Sequence, residues 1–204
     1  MSTVDGRVEA TVYSIVDGRR ARGAASRQAI VDAACRVLVA RGLNAVTHRA
    51  VASEAGVSLA RTTYHFPTVE SLLQTVLRHL TDQFDARLVT LLAEARGRHA
   101  SIVGACVDFL AELLGPRRFE LLATVELRVV AARRPDVLSL GSPWPDGVIP
   151  IIRAFGADEN RARATFAAFY GFAVLSALQP EPPTADEIRR FVTTTLLGSK
   201  HGSD

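Results

Sequence analysis

The sequence predicts an all-α chain, and three observations carry that expectation. From Ser26 to Gly198 apolar residues recur at three- and four-residue spacing almost without interruption. The breaks fall at glycine and proline: Gly42, Gly56, Pro67, Gly115-Pro116 and Pro135. After residue 25 no stretch needs the two-residue alternation of a half-buried strand. At 204 residues the chain has room for one large domain or two small ones. The expected division is an N-terminal extension over 1–25, a three-helix domain over 26–70 and a larger helical domain over 71–204.

The extension differs from the rest. "VEATVYSIV" is β-branched and suits a short strand, and "DGRRARGAAS" reads as a basic, flexible linker. Arg19, Arg20 and Arg22 would let it act as a basic arm on phosphates or a minor groove. The first helix is expected from Ser26 as N-cap, with Ile30, Ala33, Ala34, Val37 and Leu38 on one face and Gly42 as its left-handed stop. Past Pro67, Thr68 caps a helix striped by Leu72, Leu73, Val76, Leu77 and Leu80. That stripe continues through Phe84, Leu88, Leu91 and Leu92.

Helices are then expected over Ser101–Leu114 and Arg118–Arg134, the latter with Leu122, Val125, Val129 and Ala132 as its apolar face. "LSLGSPWPDGVIP" reads as a loop, followed by a short helix over Ile149–Phe155. Asp158–Leu178 has too wide an apolar surface to face solvent on one side. Thr184 and Glu187 form a capping box for a last helix striped by Ile188, Phe191, Val192, Thr195 and Leu196, ending at Gly198.

Bulk properties narrow the function. No apolar run reaches the ~18–20 residues that cross a bilayer, and "MSTVDGRVEA" does not read as a secretory signal. Cys35 and Cys106 lie apart inside helical patterns and are expected as buried, reduced thiols of a cytoplasmic protein. No metal site and no cofactor are expected. Met1–Phe66 holds nine Arg against five Asp and Glu, whereas the remainder holds fifteen Lys and Arg against sixteen. The basic balance therefore sits at the front, where it suits a polyanion.

That front half contains "THRAVASEAGVSLARTTYHF", Thr47 to Phe66. Thr47 has the chemistry of an N-cap, and Val51, Ala52 and Ala55 give a narrow apolar face that a second helix can cross closely. Gly56 permits a left-handed turn, Val57 is expected inside it, and Ser58 caps the helix that follows. Helix, glycine turn, helix is the spacing of a helix-turn-helix, whose second helix enters the major groove. Its outer face must then carry donors and small side chains. Arg61 suits bidentate donation to guanine, while Thr62 and Thr63 offer hydroxyls and methyls. Tyr64 and His65 suit phosphate oxygens. Arg49 reaches the groove from the preceding helix, and His48 lies beside a phosphate.

At these residues "VTHRAVASEAGVSLARTTYHFPTVESLL" resembles the N-terminal domain of TetR-type (tetracycline-repressor-like) regulators. "RQAIVDAACRVLVARGLNAVT" matches the part before it. The resemblance is specific over Ser26–Leu77 and only architectural beyond. It implies a homodimeric repressor that binds a palindromic operator in double-stranded DNA and lets go when a small-molecule effector enters the C-terminal ligand-binding and dimerisation domain. By motif position it places Arg49, Leu59, Ala60 and Thr63 at bases and Thr47, Thr62, Tyr64 and His65 at or beside phosphates. The family commonly has a lysine where this chain has Val69.

For the effector pocket the sequence offers Glu126 as a polar anchor among Leu122, Val125 and Val129, with Phe109, Trp144 and Tyr170 as walls. For the dimer it offers the last two helices: Phe166, Phe169, Gly171, Ala173, Phe191 and Thr195, with Ala167, Gly171 and Ala173 permitting close approach. Two alternatives stand beside this reading, a DNA-binding protein without an effector and an all-α enzyme. The five histidines form no metal-spaced cluster, and no Ser or Cys stands in a nucleophile's setting.

Overall fold

The computed structural model describes residues 5–97, 102–135, 145–154 and 157–198; for residues 5–20, 92, 94–97, 145–147 and 151 it describes the backbone alone. The chain divides into two units, Met1–Leu72 and Leu73–Asp204. Every regular element among the described residues is helical.

The first unit holds α1 (Asp5–Arg41), a 3-10 turn over Leu43–Ala45, α2 (His48–Ala55), α3 (Leu59–His65) and the start of α4 (Val69–Gly97). One face of α1, with Ile30, Val31, Ala33, Ala34, Val37 and Leu38, is buried. It packs against α2 and α3, and Val51 and Ala52 of α2 and Phe66, just past α3, are buried too. Each large apolar side chain so buried contributes about 2 kcal/mol relative to exposure. The guanidinium of Arg27 covers the Phe66 ring at 4.8 Å from its centre.

The N-terminal extension departs from expectation. Residues 5–25 form neither strand nor linker but continue α1 without a break, so Ser26 lies inside the helix rather than capping it. Extending an existing helix avoids the cost of nucleation, and no proline interrupts the run. The side chains of Arg19 and Arg20 lie outside the described residues; Arg22 is exposed. Cys35, expected to be buried, is half-exposed on the side of α1.

In the second unit α4 continues and is followed by α5 (Ile102–Leu114), α6 (Arg118–Arg133), α7 (Pro145–Arg153), α8 (Glu159–Ala177) and α9 (Ala185–Leu197). Its core joins Phe84 of α4, Ala105, Val107, Leu110 and Leu114 of α5, Leu121 of α6, Ala173 and Ala177 of α8, and Ile188 and Val192 of α9. Asp158 caps α8 through Arg161 N–H. At the other end of α8, Arg118 donates from Nε to the carbonyl of Ala177 at 2.9 Å and from Nη2 to that of Gln179. A cation there suits the carbonyl end of the helix. The Thr184–Glu187 capping box is present at the head of α9, and Gly198 ends it at φ 73°.

Two elements of this unit are placed differently from the sequence reading. α7 starts at Pro145, inside the stretch read as a loop; proline suits a first helical position, and Pro150 lies within the helix. α6 is rotated: it buries Leu121, Ala123, Thr124, Leu127 and Ala131, leaving Val129 and Ala132 exposed. Thr124 tolerates burial because its hydroxyl donates to the Glu120 carbonyl at 2.8 Å.

Candidate nucleic-acid interface and ligand cavity

The helix-turn-helix is built by local chemistry. Thr47 Oγ1 accepts from the Ala50 N–H at 3.1 Å and starts α2. Gly56 closes it at φ 65°, ψ 30°, the left-handed conformation that glycine takes at low cost. Val57, half-buried, sends its N–H back to the Ala52 carbonyl. Ser58 Oγ then accepts from the Arg61 N–H at 3.2 Å and starts α3. Two side-chain caps on either side of a left-handed glycine thus fix where both helices begin.

The outer face of α3 presents Leu59, Ala60, Arg61, Thr63 and Tyr64, all exposed, with Tyr64 82% accessible. Thr63 shares its hydroxyl proton with the Leu59 and Ala60 carbonyls, which leaves its methyl group outward. Tyr64 meets the His65 ring edge-on at 5.2 Å, and His65 is half-buried. Thr47, Arg49 and Ser58 are exposed beside them. Two of the residues expected at or beside phosphates are less accessible. Thr62 is fully buried and bonds back to the Ser58 carbonyl at 3.4 Å, so it faces the unit's own core. His48 is half-buried, with Nε2 enclosed and without a hydrogen-bond partner.

The second unit holds a partly open cavity of about 140 Å³ lined by α4, α5, α6, α7, α8 and α9. Phe84, Phe109, Phe166, Phe169 and Tyr170 give it aromatic walls, Asp85 and Thr165 are further polar residues of the lining, and the surface facing the cavity is almost wholly apolar. Burial pushes the Cys106 thiol in this wall up to about 11, so it stays protonated at neutral pH. Arg128 of α6 donates from Nη2 to Thr81 Oγ1 at 2.9 Å. Burial lowers its pKa, and the neighbouring Tyr170 and Asp85 oppose that shift. The Tyr170 hydroxyl is pushed up by burial and pulled back by Arg128.

The cavity redistributes the expected pocket and dimer residues. Phe109 and Tyr170 line it, whereas Glu126 is exposed on α6 and outside its walls. Trp144 lies outside the described residues. Phe166, Phe169 and Ala173, expected at a dimer face, line the cavity, and Ala173 is 2% exposed. Phe191 is stacked on Phe172 within the chain at 4.0 Å. Gly171 and Thr195 are half-buried, and a Cβ added at Gly171 meets nothing within 4 Å. The outward stripe of α8 runs through Ala164, Ala168, Gly171, Leu175 and Leu178, at alternating four- and three-residue steps. Sequence reasoning missed Asp85 and Thr165, both in the cavity lining. A signal existed: Thr81 and Asp85 are polar residues one turn apart, flanking the Phe84 and Leu88 stripe.

Comparison with known proteins matches residues 30–76 to the model of bacterial regulatory proteins of the tetR family. Residues 96–198 match the tetracyclin repressor-like C-terminal domain. No curated protein matches significantly. Among solved structures, a TetR-family member from Streptomyces coelicolor A3 (SCO1917) is 34% identical, with TM-score 0.70 over 83% of this chain and 97% of that one. The multidrug binding protein EbrR complexed with imidazole is 34% identical, with TM-score 0.67 over 83% and 93%. Its complex with ethidium gives 34% and 0.68 over 83% and 98%. Among the described residues no helix is long and apolar enough to cross a membrane. With both halves matched in sequence order and relatives a third identical along nearly their whole length, the chain belongs to the tetR family of bacterial regulatory proteins.

Proposed function

We propose that the protein is a repressor that binds a palindromic operator as a homodimer, with α3 in the major groove, and is released when a small molecule occupies the cavity of its second unit. The observation that carries the reading is the outward face of α3: Arg61 and its neighbours are exposed on a helix whose start is fixed by Ser58. Arg61 reads a guanine, and Leu59, Ala60 and Thr63 pack against base edges. Arg49 reaches the groove from α2, and Thr47, Ser58 and Tyr64 meet phosphates. The aromatic cavity supplies the effector site, and the multidrug binding relative EbrR, crystallised with ethidium and with imidazole, supports a small organic effector.

The test uses purified protein, the DNA upstream of its own gene and a random duplex of equal length, at two salt concentrations. Binding should prefer the upstream DNA and weaken steeply with salt. Arg61→Ala should lose about 1–3 kcal/mol of that preference, one bidentate base contact, with a smaller loss on the random duplex. Equal losses on both duplexes would remove Arg61 from base reading, and indifference to DNA at low salt would reject the regulator.

A further inference from the structure

We infer that the cavity of the second unit takes a compact, uncharged hydrocarbon ring and turns away ions and hydroxylated analogues of the same shape. The inference rests on reading the cavity as the effector site and adds the chemical class of the effector. The observation that carries it is the surface facing the space, which is almost wholly apolar. Asp85, Thr165 and Tyr170 belong to the lining, yet almost no oxygen lies on that surface, so all three meet the cavity through carbon. The other described residues of the lining are aromatic and aliphatic apart from Cys106, whose thiol stays protonated at neutral pH.

The aromatic walls are themselves engaged with neighbours. The Arg117 guanidinium covers Phe84, 4.6 Å from the ring centre, and is held by Glu120 at 2.7 Å. Phe166 is stacked on Tyr170 with ring centres 5.9 Å apart, and Phe169 meets Phe191 edge-on at 5.3 Å. Four of the five rings therefore already have a face or an edge against another group. At Phe84 that group carries the same charge as a cationic ligand would.

An ion entering such a space sheds its water and finds no hydrogen-bond partner in return. The attraction of a ring face for an ammonium restores only a small part of that hydration. A hydroxyl is disfavoured for the same reason, though less strongly than a charge. A hydrocarbon has no hydrogen bonds to lose and gains with every apolar surface removed from water. The volume sets the size: a dry apolar cavity of about 150 Å³ holds a benzene ring, close to the 140 Å³ here.

Ethylbenzene, benzyl alcohol and benzylammonium share one skeleton and differ only in a terminal methyl, hydroxyl or ammonium group. Each is titrated into the full-length protein by calorimetry at pH 7. Ethylbenzene should bind at least tenfold more tightly than either of the others. A smaller preference over either one, or binding of none of the three, overturns the inference. Cys106→Leu, which fills part of the space with its own side chain, should weaken ethylbenzene at least tenfold. Circular dichroism checks its fold, and Ala173→Val takes its place if it is unfolded. Undiminished ethylbenzene affinity in a folded variant puts the binding elsewhere and likewise overturns the inference. Release of the upstream DNA is read separately at saturating probe. Selective ethylbenzene binding without release rejects the cavity as the effector site and leaves its selectivity standing. Release by benzylammonium alone keeps the effector site and overturns the inference.

Discussion

Thr62 and Arg61 are adjacent in sequence and opposite in situation. Arg61 is exposed at the start of α3, while Thr62 is fully buried, its hydroxyl returned to the Ser58 carbonyl. Because a threonine bonded to its own helix hides its polar atom, it can serve as an apolar side chain. Replacing it by valine keeps the shape and removes both the hydroxyl and its need for a partner. Thr62→Val should therefore change stability by less than about 1 kcal/mol and leave upstream-DNA affinity within about twofold. Thermal unfolding and a binding titration check both. A loss of DNA affinity in a fully stable variant would place Thr62 at the duplex after all, as motif position alone would have it. The contrast shows what local pattern can and cannot supply. Thr47, Gly56 and Ser58 are legible because their roles are settled within three residues of each. Burial of Thr62 is settled by α1, some thirty residues upstream, against which α3 packs.

At the scale of elements, starts and stops were easier to read than faces. The Thr184–Glu187 box is reciprocal: Glu187 Oε2 accepts from the Thr184 N–H at 2.8 Å, and Thr184 Oγ1 accepts from the Glu187 N–H at 3.3 Å. The bond from the Thr184 backbone, and then that from its hydroxyl, hold the Glu187 carboxyl below its usual range. A carboxyl depressed in the folded chain adds stability above its unfolded value of 4.5, and that share is lost as pH falls through the folded value. Glu187→Gln should accordingly lower Tm at pH 7, with the gap to the unaltered protein closing as pH is brought towards 3. A gap that persists at low pH would assign the loss to geometry rather than charge. Faces are another matter. α6 and α8 carry apolar residues on more than one side, so periodicity offers several faces and selects none. On α6 the set Leu122, Val125 and Val129 framed Glu126 as a buried anchor, yet packing chose Leu121, Thr124, Leu127 and Ala131. On α8 Tyr170 was legible as a cavity wall, whereas Phe166 and Phe169, expected on a partner-facing surface, also line the cavity that the assembled unit creates.

Once those aromatics are committed inward, the molecule's remaining apolar surface on α8 acquires a different meaning. Leu175 and Leu178 are 65% and 63% exposed, on the stripe that also carries Ala164, Ala168 and Gly171. Small residues along its length and leucines at one end suit the close approach of the same helix from a second copy across a two-fold axis. The consequence for DNA is large. Two α3 helices held about 34–36 Å apart read both halves of a palindrome, and linking two half-site contacts raises affinity by about 10²–10⁴ without any new contact. Leu175→Glu with Leu178→Glu should therefore yield a folded monomer, since neither side chain supports its own chain's core, and upstream-DNA affinity should fall by about that factor. Light scattering reads the mass, circular dichroism the fold, and a titration against one isolated half-site separates the two effects. Half-site affinity should stay within about threefold, because α3 and its caps are untouched while the tethering that multiplied them is gone. A variant that remains dimeric at full operator affinity would move the interface off this stripe.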